Sequence, residues 1–189
     1  MEDLEKSSQA VARTRVWFER VVLGLNLCPY AHQPSKANSI RFSVFYEGES
    51  ESLLEKVERE VELLFSSPSS QLETTLIILP EGFDDFFFYL SIVDLVDDWL
   101  VKFGWEGRFQ VATFHPNYQF EGTLLNDRGN LTNRSPHPML HLLREASLTA
   151  VVDSGADTSS VPERNIERVK GLLDAEVADL FPHVCPKPL

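Results

Sequence analysis

Long apolar runs, cysteines and basic residues are all scarce in this chain of 189 residues. The most apolar stretches, 76–80 and 86–90, are five residues long, whereas a membrane-spanning helix needs about 20 apolar residues. The first 15 residues have no apolar core and carry three acidic side chains, so we expect neither a secretory signal nor a transit peptide. The two cysteines, Cys28 and Cys185, are too few for the disulfide framework of a small secreted domain. These scarcities favour a cytoplasmic protein that has reduced thiols and does not contact membranes.

Basic residues are far outnumbered by acidic ones. Lys and Arg total 17 while Asp and Glu total 29, so the formal net charge is −12. Such a surface repels polyanions, and we expect no nucleic-acid partner. Hydrophobic residues make up 43% and charged residues 24%, which is typical of a globular protein and excludes a disordered chain or a coiled coil. The sequence does not indicate an oligomeric state.

Hydrophobic periodicity predicts alternating helices and strands in the first 114 residues. In chain order, the predicted elements are a helix at 10–25, a strand at 40–46, a helix beginning after residue 52, a strand at 74–80, a helix at 88–103 and a strand at 109–114. Ser52 and Glu55 have the spacing of a capping box at the start of the second helix. Strands separated by helices of this length usually run parallel.

The predicted fold is therefore α/β, with a small, mainly parallel sheet of three or more strands and flanking helices. A chain of this length usually forms one domain, so we assign residues 1–189 to a single domain. The ends, 1–9 and 181–189, are expected to be flexible.

Residues 115–138 form the stretch where a site is most expected. They show no sustained periodicity, and loops this long in compact domains tend to be functional or disordered. Apolar side chains within the loop, including Tyr118, favour order over disorder. The segment from Arg108 to Arg144 contains four arginines and two acids, a local charge of +2 in an acidic protein. His115 opens the loop at the end of the third predicted strand, where ligands bind in parallel sheets.

The end of this loop predicts an anion site at the start of a helix. Ser135 is a good N-cap residue before Pro136, and the following MLHLLREAS has a helical pattern. His141 and Arg144 would then share a polar helix face, with Arg134 just before the cap. Free backbone N–H groups at a helix N-terminus, flanked by an arginine, attract a carboxylate or phosphate. Residues 148–152 fit either an extension of this helix or a short edge strand.

Each of these residues also has a structural interpretation. Arg134 and Arg144 are equally suited to pairing with the abundant carboxylates, and His115 to a hydrogen bond with a backbone carbonyl. Asn133 and the other asparagines of the loop favour turns. A zinc site at His137 and His141 lacks both a third ligand and the glutamate of the metalloprotease pattern, so no metal is assigned. Cys28 is a candidate nucleophile only if a histidine lies within hydrogen-bond reach.

Several long phrases of the chain resemble one protein family. NLCPY at 26–30, QVATFHPNYQF at 110–120, TNRSPHPMLHLLRE at 132–145 and PERNIE at 162–167 are similar to a family of small proteins catalogued as domain of unknown function 1415. The likeness extends over roughly residues 10–175, and the only departure that we identify in these phrases is His137, where the family phrase has tyrosine. The resemblance implies no reaction and no catalytic residues. It marks positions in three phrases, around Cys28, His115 and Asn133–Arg144, which would form one pocket if the first helix ends beside the long loop.

The leading functional hypothesis is an enzyme that acts on a small anionic metabolite. Arg134 and Arg144 would orient the anion, with Asn133, Ser135 and Tyr118 as further binding residues. His115 and His141 are candidate acid–base groups and Cys28 is a candidate catalytic thiol. The alternative hypothesis is a non-catalytic binding or assembly module, in which the 115–138 loop is structural or forms a docking surface. We expect no cofactor in either case.

Overall fold

A four-stranded sheet forms the centre of the protein. The computed structural model describes residues 2–46, 52–153 and 159–184. The strands are β1 (Ile40–Val44), β2 (Thr74–Ile78), β3 (Phe109–Phe114) and β4 (Met139–Arg144). Their order in the sheet is β1-β2-β4-β3, where β1 and β2 are parallel and β4 is antiparallel to both of its neighbours. The α/β class is therefore confirmed.

The expectation of a mainly parallel sheet is wrong because a fourth strand separates β2 from β3. The first three strands do run in the same direction, but the predicted helix at MLHLLREAS is instead β4, followed by a helix. Strand β4 is central in the sheet and is covered on both faces, so it has few polar side chains to mark the alternation of a strand. A short apolar run of this kind has no periodicity that separates a buried strand from a helix.

Helices cover both faces of the sheet. The helices are α1 (Glu2–Trp17), α2 (His32–Lys36), α3 (Leu53–Ser66), α4 (Phe86–Lys102), α5 (Glu145–Asp153), α6 (Val161–Lys170) and α7 (Asp174–Leu180). Helices α3 and α4 pack on one face, where Val61, Val96 and Leu142 belong to one buried cluster. Helices α1, α6 and α7 pack on the other face, where Trp17, Met139 and Val169 belong to a second. The sheet thus separates two apolar cores.

The predicted capping box at Ser52 and Glu55 is confirmed. Ser52 caps α3, since its side chain accepts a hydrogen bond from the Glu55 N–H and the Glu55 carboxylate accepts one from the Ser52 N–H. The ambiguous residues 148–152 are helical and belong to α5. The expected flexible N-terminal end contains the first turns of α1, which begins at Glu2. Of the expected C-terminal end, residues 185–189 lie outside the described part of the chain, and Cys185 with them.

The first helix ends in a wider π-helical turn at Phe18–Leu23. Its hydrogen bonds span five residues, from Gly24 N–H to Glu19 O at 3.0 Å and from Leu27 N–H to Val22 O at 2.9 Å. A Cβ atom at Gly24 would lie 2.2 Å from the carbonyl oxygen of Arg20, so the turn requires glycine here. Such π-turns within helices are rare and are frequent at functional sites.

A buried ion-pair network joins β1 to α3. The carboxylate of Glu60 is fully buried, accepts a hydrogen bond from Ser43 Oγ at 2.6 Å and one from Arg41 Nε at 2.7 Å. The ammonium group of Lys56 lies 3.8 Å from the same carboxylate. Because a buried carboxylate is tolerated only when its oxygens are paired, this network fixes the position of α3 on the sheet.

Candidate functional site

A cavity of about 590 Å³ lies on the α1 side of the sheet. Its floor is formed by β1, β2 and β4, and its walls by the π-helical turn, α2, α5 and the loop before β2. Most of the lining is apolar, contributed by side chains such as Phe18, Val22, Leu76, Phe114 and Leu148. A concave, mostly apolar cavity with a few polar groups is the usual form of a small-molecule site.

The π-helical turn and the residues after it bring Cys28 to the cavity. The chain reverses at Asn26, which has a positive φ of 52°, a conformation that asparagine tolerates better than most residues. The amide of Asn165 in α6 donates a hydrogen bond to the Leu27 carbonyl at 2.6 Å. These two constraints hold the short segment that carries Cys28 and Pro29 into the cavity wall.

The thiol of Cys28 is a neutral group. Burial raises the pKa of Cys28 above its ordinary value, and backbone N–H groups of Tyr30 and Ala31 offset this only in part. A raised pKa keeps the thiol protonated near neutral pH, whereas nucleophilic cysteines have a lowered pKa. Cys28 therefore contributes a soft, uncharged surface to the cavity rather than an activated nucleophile.

His141 reaches the same cavity because β4 is a strand and not a helix. Alternate residues of a strand point to opposite faces, and Leu140 and Leu142 pack into the core beneath α3 and α4. His141 and Leu143 consequently face the other side and line the cavity. Burial lowers the pKa of His141 from 6.5 to about 4, so the imidazole is neutral at physiological pH.

Thr74 fixes which nitrogen of His141 carries the proton. The hydroxyl of Thr74 donates a hydrogen bond to the Leu142 carbonyl at 2.5 Å, and its oxygen lies 2.7 Å from His141 Nε2. A hydroxyl has one proton to donate, so Thr74 accepts the second hydrogen bond and His141 Nε2 is its donor. In the described part of the chain Nδ1 has no hydrogen-bond partner, and it is not among the fully buried unpaired atoms. It is the acceptor that a cavity ligand can reach.

Arg144 also lines the cavity, but its guanidinium holds the end of α3. Its Nη2 donates hydrogen bonds to the carbonyl oxygens of Ser67 and Leu72, each at 2.9 Å, and to that of Leu64. The guanidinium carbon lies 5.9 Å from the centre of the Phe109 ring, in the core beneath α3. Nη2 of Arg144 therefore satisfies carbonyl groups in the last turn of α3 and just after it, while Nε is buried without a hydrogen-bond partner among the described residues. No bonded carboxylate is found for Arg144 in this part of the chain.

Arg134 does not line this cavity. Its side chain donates hydrogen bonds to the carbonyl oxygens of Tyr118 at 3.1 Å and Leu125 at 2.6 Å. Burial lowers the pKa of Arg134, and the residue is only 8% exposed. Arg134 thus connects distant parts of the long loop through hydrogen bonds to backbone carbonyls. The sequence indicates only ligand binding or carboxylate pairing for this residue.

The predicted helix N-terminus at Ser135 is wrong. Residues 134–138 lead into β4 without a helix, and Ser135 Oγ donates a hydrogen bond to the His137 carbonyl at 2.6 Å. The Asn133 amide donates a hydrogen bond to the Thr113 carbonyl at 3.1 Å. Helix-end N–H groups that would attract an anion are consequently missing at this point of the described chain.

Both ring nitrogens of His115 already have partners. Nε2 lies 3.0 Å from the Phe83 carbonyl oxygen, and Nδ1 accepts a hydrogen bond from the Asn117 N–H at 3.0 Å. The residue is fully buried, and its ring packs against Phe86 and Tyr89 at centroid distances of 5.2 and 5.1 Å. Burial lowers the pKa of His115, which fits a neutral structural histidine.

The structure therefore divides the eight predicted site residues into two groups. Cys28, His141 and Arg144 line the cavity. The other five lie outside that lining and organise the 115–138 loop: His115, Tyr118, Asn133, Arg134 and Ser135. Tyr118 contributes through its backbone carbonyl and through its hydroxyl, which accepts a hydrogen bond from Thr113 Oγ1 at 3.4 Å.

The sequence does not identify Thr74 or α5 as parts of a site. Thr74 lies in the predicted strand at 74–80, and its hydrogen bond to His141 depends on the pairing of β2 with β4. Ser147 and Leu148 of α5 line the cavity, but they follow β4 and could be placed only once that strand was known. The π-helical turn carries no sequence signature that we can identify.

Two general features of the described residues are relevant to function. No group of three or more His, Cys, Asp or Glu side chains in them is arranged to hold a metal ion. None of their helices has the length and apolar character required to cross a membrane.

Comparison with known proteins assigns the chain to a family. The family described as "Protein of unknown function (DUF1415)" matches residues 9–179, so the chain belongs to it and the expected resemblance is confirmed. No curated protein and no solved structure matches the chain.

Proposed function

For this member of the DUF1415 family, we propose that the cavity beside the π-helical turn binds a small organic molecule. The observation that carries the proposal is the cavity itself, a space of about 590 Å³ lined mainly by apolar side chains, with His141 among its polar residues. Cavities of this size and lining bury most of a small ligand's surface and orient it with few polar contacts.

The local backbone supports this proposal. The wall of the cavity includes Phe18 and Val22 of the π-helical turn, a geometry with fewer favourable backbone interactions than an α-helix and common at binding sites. The positive φ of Asn26 adds a second unfavourable conformation two residues before Cys28. Departures from regular geometry tend to cluster where a site requires them.

Binding is better supported than thiol catalysis. The pKa of Cys28 is raised, so its thiolate is scarce at neutral pH, and the imidazole of His141 is already committed through Nε2 to Thr74. A catalytic thiol requires a lowered pKa or a base that removes its proton. We therefore place Cys28 and His141 as ligand contacts.

The hypothesis that the protein is an enzyme acting on a small anionic metabolite stays a prediction. It would gain support from an arginine with donors directed at the ligand, but Arg134 bonds to loop carbonyls and Nη2 of Arg144 to the carbonyls of Ser67 and Leu72. Nε of Arg144 is buried without a hydrogen-bond partner in the described residues. Glu73 also lines the cavity and opposes the charge of Arg144.

The alternative hypothesis, in which the 115–138 loop is structural, is supported by Asn130. Its side-chain oxygen accepts hydrogen bonds from Phe120 N–H and Thr123 Oγ1, both at 3.0 Å.

A fragment screen with two matched variants tests the proposal. Neutral, anionic and cationic fragments would be screened by ¹H–¹⁵N NMR, and we expect binders to shift the amide signals of Cys28, Thr74 and His141. Ser147→Trp places a large side chain in the cavity, whereas Thr149→Trp places it on the exposed side of the same helix. The first variant should weaken binding at least tenfold and the second should leave it unchanged.

Two results would overturn the proposal. One is a screen in which no fragment shifts these signals. The other is equal binding by wild type and Ser147→Trp, since a bound fragment would then lie elsewhere on the protein.

A further inference from the structure

The polar atoms of the cavity define what kind of molecule it accepts. The polar side chains in the lining include the protonated thiol of Cys28, the neutral imidazole of His141 and the two opposite charges of Glu73 and Arg144. Nη2 of Arg144 donates hydrogen bonds to the carbonyl groups of Ser67 and Leu72, while Nε of the same guanidinium is buried without a hydrogen-bond partner in the described chain. Glu73 and Arg144 together leave the lining without a net charge, so the cavity offers an anionic ligand no net electrostatic attraction.

The tautomer of His141 determines whether a ligand can donate or accept a hydrogen bond at this side chain. Its Nε2–H is donated to Thr74, whose own proton goes to the Leu142 carbonyl. The remaining ring nitrogen, Nδ1, is then an acceptor only. Only a ligand group with an N–H or O–H can form a hydrogen bond with it, because an acceptor placed there would face a lone pair.

We infer that the cavity selects an uncharged, mostly apolar molecule that carries a hydrogen-bond donor directed at His141 Nδ1, with Thr74 as the residue that holds the imidazole in the required tautomer. This inference rests on the proposed function, since it specifies the ligand class of the same cavity. Thr74 acts through His141 and is thus a positioning residue.

Three aromatic probes of similar size test the ligand class. Phenol is neutral and has an O–H donor, anisole has the same ring and oxygen without the donor, and benzoate is an anion. A single hydrogen bond between neutral groups contributes about 1 kcal/mol, so phenol should bind about fivefold more tightly than anisole. Benzoate should bind at least tenfold more weakly than phenol, because Glu73 offsets the charge of Arg144 and the transfer of a carboxylate into a mostly apolar cavity is costly. Dissociation constants would come from titrations followed by ¹H–¹⁵N NMR.

Adjacent threonines provide a matched pair of variants. Thr74→Val removes the acceptor that holds Nε2–H, whereas Thr75→Val removes a buried hydroxyl that has no hydrogen-bond partner. Wild type and Thr75→Val should both show the ¹⁵N signal of an unprotonated Nδ1 at His141 and keep the preference for phenol. Thr74→Val should populate the other tautomer and lose the preference, while a merely structural role for Thr74 would leave the tautomer unchanged.

The outcomes separate this inference from the proposed function. If no probe shifts the signals of the cavity residues, both are contradicted. If the probes bind there but anisole equals phenol, or benzoate binds most tightly, only the ligand class is wrong. A protonated Nδ1 in the wild type, or an unchanged phenol preference in Thr74→Val, would refute the role of Thr74.

Discussion

Acidification is expected to destabilise this protein through His141. Burial in the cavity wall lowers the pKa of His141 from its ordinary value of 6.5 to about 4. The unfolded chain therefore takes up a proton near pH 6.5, whereas the folded chain takes it up only near pH 4. Since the unfolded state binds more protons between these two values, the free energy of unfolding falls as the pH falls through this window. Above pH 6.5 the residue should have no effect on the pH dependence.

The size of this loss in unfolding free energy follows from the difference between the two pKa values of His141. One unit of difference corresponds to about 1.4 kcal/mol, so the drop from 6.5 to about 4 removes roughly 3 kcal/mol of unfolding free energy by pH 4. A small domain has only about 5–15 kcal/mol in total. The effect of this single side chain should therefore be visible in an ordinary denaturation experiment.

Urea unfolding of the wild type and of His141→Gln at pH 7 and pH 4 measures this contribution. Glutamine cannot take up a proton in this range and keeps an N–H donor toward Thr74. Carboxylates that titrate over the same range affect both proteins. The difference between the unfolding free energies that the wild type and the variant lose from pH 7 to pH 4 therefore isolates the contribution of His141. We expect the wild type to lose about 3 kcal/mol more than the variant. Equal losses would show that His141 titrates normally and would remove the basis for treating it as a neutral acceptor.

Three substitutions elsewhere test the packing that supports the cavity, each by urea unfolding at pH 7. Glu60→Ala should cost about 3 kcal/mol or more, because it leaves two neighbouring cations and Ser43 without their buried partner; a loss below about 1 kcal/mol would contradict this. Tyr89→Phe should cost about 1–3 kcal/mol, since the buried hydroxyl donates to one strand and accepts from another, and no loss would argue against those bonds. Gly24→Ala should cost about 1–3 kcal/mol, because the new Cβ would lie 2.2 Å from the Arg20 carbonyl oxygen; an unchanged stability would refute the π-helical geometry.

Local signals made the first three strands and their helices predictable. The capping box at Ser52 and Glu55 depends on residues three positions apart, so the sequence contains all the information needed to recognise it. The alternation in β1 and the buried run in β2 are likewise contained within a few residues. Each of these elements would have the same local pattern in many different folds.

The fourth strand could not be recognised because its identity depends on distant residues. Met139, Leu140, Leu142 and Leu143 fit one side of a helix as well as both sides of a central strand. What selects the strand is the pairing of β4 with β2 and β3, which supplies backbone partners on both edges. Sequence periodicity does not contain that pairing, so the sheet was expected to be parallel and the anion site was expected at a helix end.

The two histidines of the candidate site show why residue type alone does not identify a functional group. His115 and His141 were equivalent candidates in the sequence, but the ring nitrogens of His115 are both occupied, one by the Phe83 carbonyl and the other by the Asn117 N–H. His141 differs because Thr74 occupies only one nitrogen. What a ligand can use is the atom that the fold leaves unpaired but accessible, and that property is decided by tertiary neighbours. The same reasoning applies to arginines, whose donors are as readily consumed by backbone carbonyls as by an anion.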